Sequence, residues 1–473
     1  MTYIGATPTT GDFKKLDSIS TSATATFNLR QNSVAVYPQS ANHCIVSLNG
    51  VIQAPVDAFT IVNDTIVFAS SLASSDVINF ILVLGNVNDI GTVSDDTVST
   101  AKLQANAVTY PKTSGLVRPN AKPLVINGNM AVAQRGTSAT GKTGSGYYTC
   151  DRWNMSASSL GTWTQTQDTD VPTGYGFAKS LKMDCTTADG SPSAGDNLAL
   201  QYSFEGQDLQ VLRKGTSNAQ KITISFWVKS VKTGTYICEV YDHDNSRTIS
   251  TAYTISSAST WEQKIINIDG DTTGALGNDN AQSLSIQFHL AAGSNYTSGT
   301  LNTSWNANVN ANRMVGQVNL GDSTSNNFWI TGVQMEVGEY TSSTIPPFQH
   351  ESFGDNLNRC LRYAYQVVSN ESAAGNAPIG VGGAQYNSGQ MQFNIPFPVP
   401  MRTNPSLTCS SASNNYSFIR NDAADNFDDF VIDKANSNMA ECKNSTDMSG
   451  TAGHSGVVRT ANSSLSVLFT AEL

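Results

Sequence analysis

Three stretches of this chain alternate apolar and polar residues with period two, and that alternation limits the folds open to it. In Lys221-Ile-Thr-Ile-Ser-Phe-Trp-Val-Lys229 the apolar set is Ile222, Ile224, Phe226 and Val228. In Ser283 to Leu290 it is Leu284, Ile286, Phe288 and Leu290; in Leu198 to Phe204 it is Leu198, Leu200, Tyr202 and Phe204. Extended backbone points successive side chains to opposite faces, so each stretch has one apolar side and one wet side. Two antiparallel sheets packed face to face satisfy both. Clusters of Gly, Asn, Ser and Thr between the stretches supply the turns. The pattern predicts an all-β chain of tandem β-sandwich or jelly-roll domains.

Length and composition narrow this further. A chain of 473 residues exceeds one core, and about three domains is the expectation. Charged residues make up 14%, against roughly 25% in ordinary globular proteins. Hydroxyl and amide side chains replace them, which suits pleated surfaces and turns better than helix exteriors. The net charge is -10, and no Lys/Arg cluster exceeds a doublet, so a nucleic-acid partner is not expected. The longest apolar run, Val77 to Leu84, is far short of the ~18 residues that span a bilayer. Met1 to Pro8 lacks the basic start and apolar run of a secretion signal. The seven cysteines are odd in number and widely spaced, which predicts free thiols rather than a disulfide framework or a zinc site.

Four regions are expected. Residues 1–88 read as a small β domain, with Asn49-Gly50 and Asn63-Asp64 at hairpin spacing. Residues 89–117 read as a shaft or linker in which Val98 and Lys102 recur ten residues on as Val108 and Lys112. One such unit buries almost nothing alone and needs partner chains. Residues 118–350 hold the legible strands and predict the jelly-roll. Residues 351–473 predict a short helix, with Leu357, Leu361 and Ala364 at helical spacing and Ser352 or Asp355 as cap, then a β tip domain with long polar loops.

Binding residues are sought on the polar strand face. Opposite the core residues lie Trp227 on one strand, Gln201 and Ser203 on a second, and Gln287 and His289 on a third. Indole stacks on the C–H face of a sugar while amides bind its hydroxyls, so Trp227, Gln201, Gln287 and His289 are glycan candidates. A neighbouring loop or subunit would cover the indole equally well. Trp163, Tyr175, Tyr296 and Trp305 sit in Gly/Asn/Ser-rich stretches and join the set. Asp242, Asp244, Asp269 and Asp271 lie in oxygen-rich turns and form a calcium candidate set; no other cofactor is expected. Gly136 to Thr143 fits the phosphate-loop pattern, but Gly144-Ser-Gly-Tyr-Tyr-Thr149 opposes the helix that this chemistry requires. A flexible loop is expected there, and no catalytic group is assigned.

Two segments frame the middle region: Leu124-Val-Ile-Asn-Gly-Asn-Met-Ala-Val-Ala-Gln-Arg-Gly136, and Trp329-Ile-Thr-Gly-Val-Gln-Met-Glu-Val-Gly338 continuing to Pro346-Pro-Phe-Gln-His350. They resemble the ends of the jelly-roll module in tail fibres of short-tailed marine bacteriophages, and residues 1–88 are similar to the attachment domain of such fibres. The resemblance implies a homotrimer hung from phage tail proteins by residues 1–88. Its distal β domains would bind a host envelope glycan or outer-membrane receptor. It also implies a virion protein assembled in the host cytoplasm and released by lysis, and no enzyme. The alternatives are a polysaccharide depolymerase tailspike and a purely structural tail adaptor or head fibre.

Overall fold

A computed structural model describes residues 13–85, 122–369, 377–421 and 423–473. The chain forms two compact units, Met1–Lys112 and Thr113–Leu473. The ten-residue echo at Val98 and Val108 lies outside the described residues. Described helix is sparse throughout, and the fold is all-β, as the alternation predicts.

In the first unit a four-stranded sheet runs Lys14–Lys15, Ile78–Val83, Cys44–Leu48, Val51–Ile52, beside a three-stranded sheet of Thr26–Asn28, Thr65–Phe68 and Phe59–Val62. Asn49-Gly50 closes a two-residue hairpin in which Leu48 pairs with Val51. Both turn residues have positive φ, 51° and 80°, the conformation for which Asn-Gly is selected. Asn63-Asp64 closes a second hairpin, pairing Val62 with Thr65.

In the second unit two antiparallel sheets form the jelly-roll. The six-stranded sheet runs Ser138–Lys142, Thr162–Asp168, Ser180–Thr187, Asn327–Val337, Ile222–Ser230, Glu262–Ile268. The seven-stranded sheet runs Gly146–Tyr147, Trp153–Ser158, Asn197–Glu205, Gln282–Ala292, Gly234–Asp242, Arg247–Ile255, Asn306–Ala307. Every apolar residue of the three alternating stretches enters one core between them. Within that core Phe226 meets Phe288 edge-on, with ring centroids 4.7 Å apart. Cys150, Cys185, Cys238 and Cys360 pack in it as free thiols, and burial pushes each thiol pKa up.

The two framing segments meet inside this core. Val333 donates its backbone N–H to the carbonyl of Gly128 at 2.9 Å. A β-carbon on Gly128 would sit 2.1 Å from the Val333 carbonyl oxygen, so only glycine fits. Asn127 holds the turn together: its side-chain oxygen accepts from Val132 N–H at 2.9 Å and its amide donates to the carbonyls of Val132 and Asp151. On the partner segment the register slips between Trp227 and Ser225, opposite Thr331 and Gln334. Gly332, at φ 61°, makes that bulge, and the Phe177 ring fills the space where a side chain would stand.

The phosphate-loop match is not a loop. Ser138–Lys142 is a strand at the sheet edge, paired with Thr162–Asp168, and the next element is the strand Gly146–Tyr147. Lys142 Nζ rests 4.7 Å from the Tyr148 ring. Alternation was hidden here by small polar residues, because both faces of an edge strand can be wet.

The helix is Phe353–Leu361, and the Ser352 side chain caps it by accepting from Asp355 N–H at 3.1 Å. Its buried residues are Asn356, Cys360 and Leu361; of the expected row Leu361 is buried and Leu357 packs partly buried against the jelly-roll core, while Ala364 already belongs to the strand Ala364–Val368. Asn356 accepts from Asn127 N–H at 3.1 Å, so the helix docks on the first framing segment. Beyond it, a seven-stranded and a three-stranded sheet enclose a separate core that includes Phe393, Phe418, Val467 and Phe469. Ion pairs lock this C-terminal part to the jelly-roll: Glu205 accepts two bonds from Arg362 at 2.7 Å each, and Glu472 bridges Arg135 and Arg152.

Candidate functional site

The outer face of the jelly-roll's seven-stranded sheet carries a cleft of about 430 Å³. Register sets its floor. Gln201 pairs with Gln287, and Gln287 with Glu239 on the next strand; Ser203, Ser285 and Tyr241 make the adjacent rung. These are the polar positions of strands whose other faces fill the core, so the alternation that builds the sandwich also builds the floor. His243 enters from the hairpin loop after Asp242. Tyr296, Asn308, Asn310 and Arg313 descend from the long connection that precedes Asn327–Val337 and form one wall.

The floor is a continuous hydrogen-bond network. Gln201 and Gln282 both donate to Ser203 Oγ, at 3.0 and 2.9 Å. Gln282 also contacts His243 Nε2 at 3.0 Å, and Ser285 Oγ lies 3.0 Å from the same nitrogen. Gln287 donates to Ser285 Oγ at 3.2 Å. Arg313 grips the buried Glu239 with two bonds, Nε to Oε1 at 2.8 Å and Nη2 to Oε2 at 2.7 Å. His289 Nε2 lies 3.0 Å from Glu239 Oε2. Such networks hold side chains in one geometry before a ligand arrives.

Charge in the cleft is balanced internally. Burial alone would raise the Glu239 pKa, but the bonds from Arg313 and His289 outweigh it and hold the carboxyl below its ordinary range. Burial lowers His289 more than Glu239 raises it, and burial likewise lowers His243. Both imidazoles are therefore neutral at neutral pH. Arg313 lies over the Tyr241 ring at 5.2 Å, and Tyr241 faces His243 with ring centroids 4.6 Å apart. Among the described residues the lining holds amides, the Ser156 hydroxyl, two phenols, an imidazole, a guanidinium and the Met314 side chain, and no carboxylate.

Of the residues expected from sequence, Gln201, Gln287 and Tyr296 line this cleft, and His289 lies beneath it. Trp227 does not join them. It projects from the outer face of the opposite, six-stranded sheet, where Tyr175 packs on it at a tilt, with ring centroids 4.2 Å apart. Period two places both sets of residues outward without telling which sheet each strand joins. Trp163 is fully buried in the core, its indole N–H donating to Leu160 carbonyl at 2.7 Å, and is no surface contact. Trp305 covers Lys214, 5.1 Å from its ring, and donates to the Asp269 carbonyl.

The acidic turn residues do not converge on a cation site. Lys214 Nζ sits among the carboxylates of Asp242 and Asp271 and the carbonyls of Thr273 and Gly274, and Arg247 adds a two-bond grip on Asp271. An ammonium thus occupies the place where a calcium ion was expected. Asp269 pairs with Lys221 at the surface, and Asp244 accepts from Gly277 N–H. Among the described residues no group of three or more His, Cys, Asp and Glu side chains is arranged to hold a metal.

Arg313, Glu239, Tyr241, His243, Asn308 and Asn310 escaped sequence reasoning. Glu239 and Tyr241 were recoverable, since Tyr236, Cys238 and Val240 alternate with them toward the core. The loop residues carried no periodic signal. Two larger hollows, of about 580 and 590 Å³, lie where the jelly-roll meets the C-terminal part. Their arginines are already committed: Arg359 to Glu351, Arg362 to Glu205, and Arg135 to Asp151 and Glu472.

No family model and no curated protein matches this chain. Solved structures give weak likenesses. A bacteriophage CBA120 tailspike protein 4 domain, described as enzymatically active, is 13% identical at TM-score 0.25, over 46% of this chain and 21% of that one. The family 11 carbohydrate-binding module of a Clostridium thermocellum cellulase is 13% identical at TM-score 0.21, over 42% of this chain and 96% of the module. TmCBM61, solved with β-1,4-galactotriose, is 9% identical at TM-score 0.24, over 46% and 99%. Scores of this size assign neither ligand nor activity to this chain.

The separation of Trp227 from the cleft gives a direct test. Trp227→Ala is expected to leave ligand binding at the cleft within about twofold, while lowering stability by roughly 1 kcal/mol through loss of the Tyr175 contact. Calorimetric titration and thermal unfolding of the same sample read the two effects. A large loss of binding would move the site to the six-stranded sheet.

Proposed function

We propose that this protein is a non-enzymatic glycan-binding appendage whose jelly-roll grips polysaccharide in the cleft of the seven-stranded sheet. One observation carries this reading. Amides, hydroxyls and two tyrosines converge on a preformed floor whose only carboxylate, Glu239, is buried and held by Arg313. Sugars need that combination: planar donors and acceptors for hydroxyls, and aromatic faces for C–H groups. Most glycoside hydrolases use two carboxylates at the substrate, and among the described residues the lining supplies none.

The finer reading is a phage tail fibre that hangs from the tail by residues 1–88 and binds a host envelope glycan as a homotrimer. The framing segments support it through their resemblance to fibre modules. Three weak sites per trimer would act by avidity, so no single cleft needs high affinity. The fibre would be assembled in the host cytoplasm and leave with the virion at lysis.

Purified protein is expected to block phage adsorption to its host. Tyr296→Ala should raise the dissociation constant for glycan about five- to tenfold, the loss of one aromatic contact of about 1–1.4 kcal/mol. It should weaken the adsorption block in parallel. Incubation with the bound polymer should leave its mass unchanged. A falling polymer mass would favour the depolymerase alternative, and an unaltered Tyr296→Ala protein would place the site elsewhere.

A further inference from the structure

Arg313, Glu239 and the neutral amides set the charge pattern of the cleft. This inference rests on the glycan-binding reading and names the class of ligand. We propose that the cleft takes an uncharged glycan segment and discriminates against chains bearing carboxylates, such as uronate or sialate polymers.

Among the described residues Arg313 is the one cationic side chain in the lining, and its charge is already used. Glu239 lies fully buried behind it and takes both Nε and Nη2. Only Nη1 has no hydrogen-bond acceptor among the described residues. A paired guanidinium of this kind offers N–H groups to a sugar hydroxyl but little net charge to an anion. The other donors and acceptors, on Gln201, Gln287, Asn197, Asn308 and Ser156, are neutral. Asp244 lies beside His243 in its loop, and the chain carries a net charge of -10. An incoming carboxylate would lose its water and meet no uncompensated cation, in a field of its own sign. A neutral sugar exchanges hydroxyl–water bonds for hydroxyl–amide bonds without that penalty.

An array of neutral glycans beside their carboxylate-bearing counterparts, probed with the full chain at low and high salt, tests this. Neutral spots are expected to bind, with a change of less than about twofold between 20 and 500 mM salt, because no charged pair is being screened. Acidic spots that bind, and fade with salt, would overturn the inference while leaving glycan binding intact. If no spot binds, or if Tyr296→Ala leaves every signal unchanged, the cleft is not a glycan site and both readings fall. Glu239→Gln provides a gain-of-function arm. Freed of its partner, Arg313 should bring acidic glycans onto the array, at least threefold above the parent and sensitive to salt. Because Glu239 is buried, the double variant Arg313→Gln/Glu239→Gln, which removes both charges together, serves as the second arm if Glu239→Gln does not fold. It should still leave the acidic spots dark, and acidic binding in that variant would refute the inference.

Discussion

The Lys214→Met protein is expected to be less stable than the parent by about 3–5 kcal/mol. Lys214 is nearly inaccessible, and its ammonium is the shared counter-charge of Asp242 and Asp271. Methionine fills much of the same volume but supplies no donor. Asp271 would keep its two bonds from Arg247 at 2.7 and 3.1 Å. Asp242, fully buried, would keep only the backbone and side-chain donors of Asn245. An uncompensated buried carboxylate costs more than the pair gains, so removing the second charge should help: Lys214→Met/Asp242→Asn should recover about half of the loss. Urea unfolding of the three proteins measures this. A single variant within 1 kcal/mol of the parent would mean that water reaches the cage. The change should also reach the cleft, because the loop held by Asp242 and Asn245 delivers His243, and Asn308 bonds to Ser246 in that loop.

Gly128→Val is expected to cost about 2–4 kcal/mol, through a clash rather than lost burial. The new β-carbon would press on the Val333 carbonyl oxygen at 2.1 Å, and that oxygen belongs to a central strand with no freedom to retreat. Relief requires breaking the Val333–Gly128 backbone bond, which would strand two buried polar groups. Gly144→Ala is the control, since nothing lies within 4 Å of its added β-carbon; it should stay within about 0.5 kcal/mol of the parent. Equal effects at both glycines would mean that the framing segments do not depend on their contact.

The strands were legible wherever one face is dry and the other wet. At Ile222 to Val228 and Leu284 to Leu290 every residue expected in the core is there. The Asn49-Gly50 hairpin was legible because two positive φ values in succession leave few residue choices. Where both faces are wet, as at Ser138–Lys142, the periodic signal vanished and a strand read as a loop. The candidate site was half legible for the same reason. Gln201 and Gln287 are strand residues and were read correctly as outward-facing. Arg313 and Tyr296 come from a connection without a period, and only packing brings them over the sheet.

The order of residues alone determined that this chain is β, which side chains of its alternating strands face the core, and that uncharged amides and hydroxyls dominate its polar positions. Alternation of apolar and polar groups along extended backbone is a local property, and the hydrophobic effect acts on it residue by residue. Tertiary structure decided which sheet each strand joined. It sent Trp227 to one face and Gln287 to the other, sank Trp163 into the core, and set Lys214 between Asp242 and Asp271. Strand order depends on contacts between residues far apart in the chain, and period two is the same in every strand.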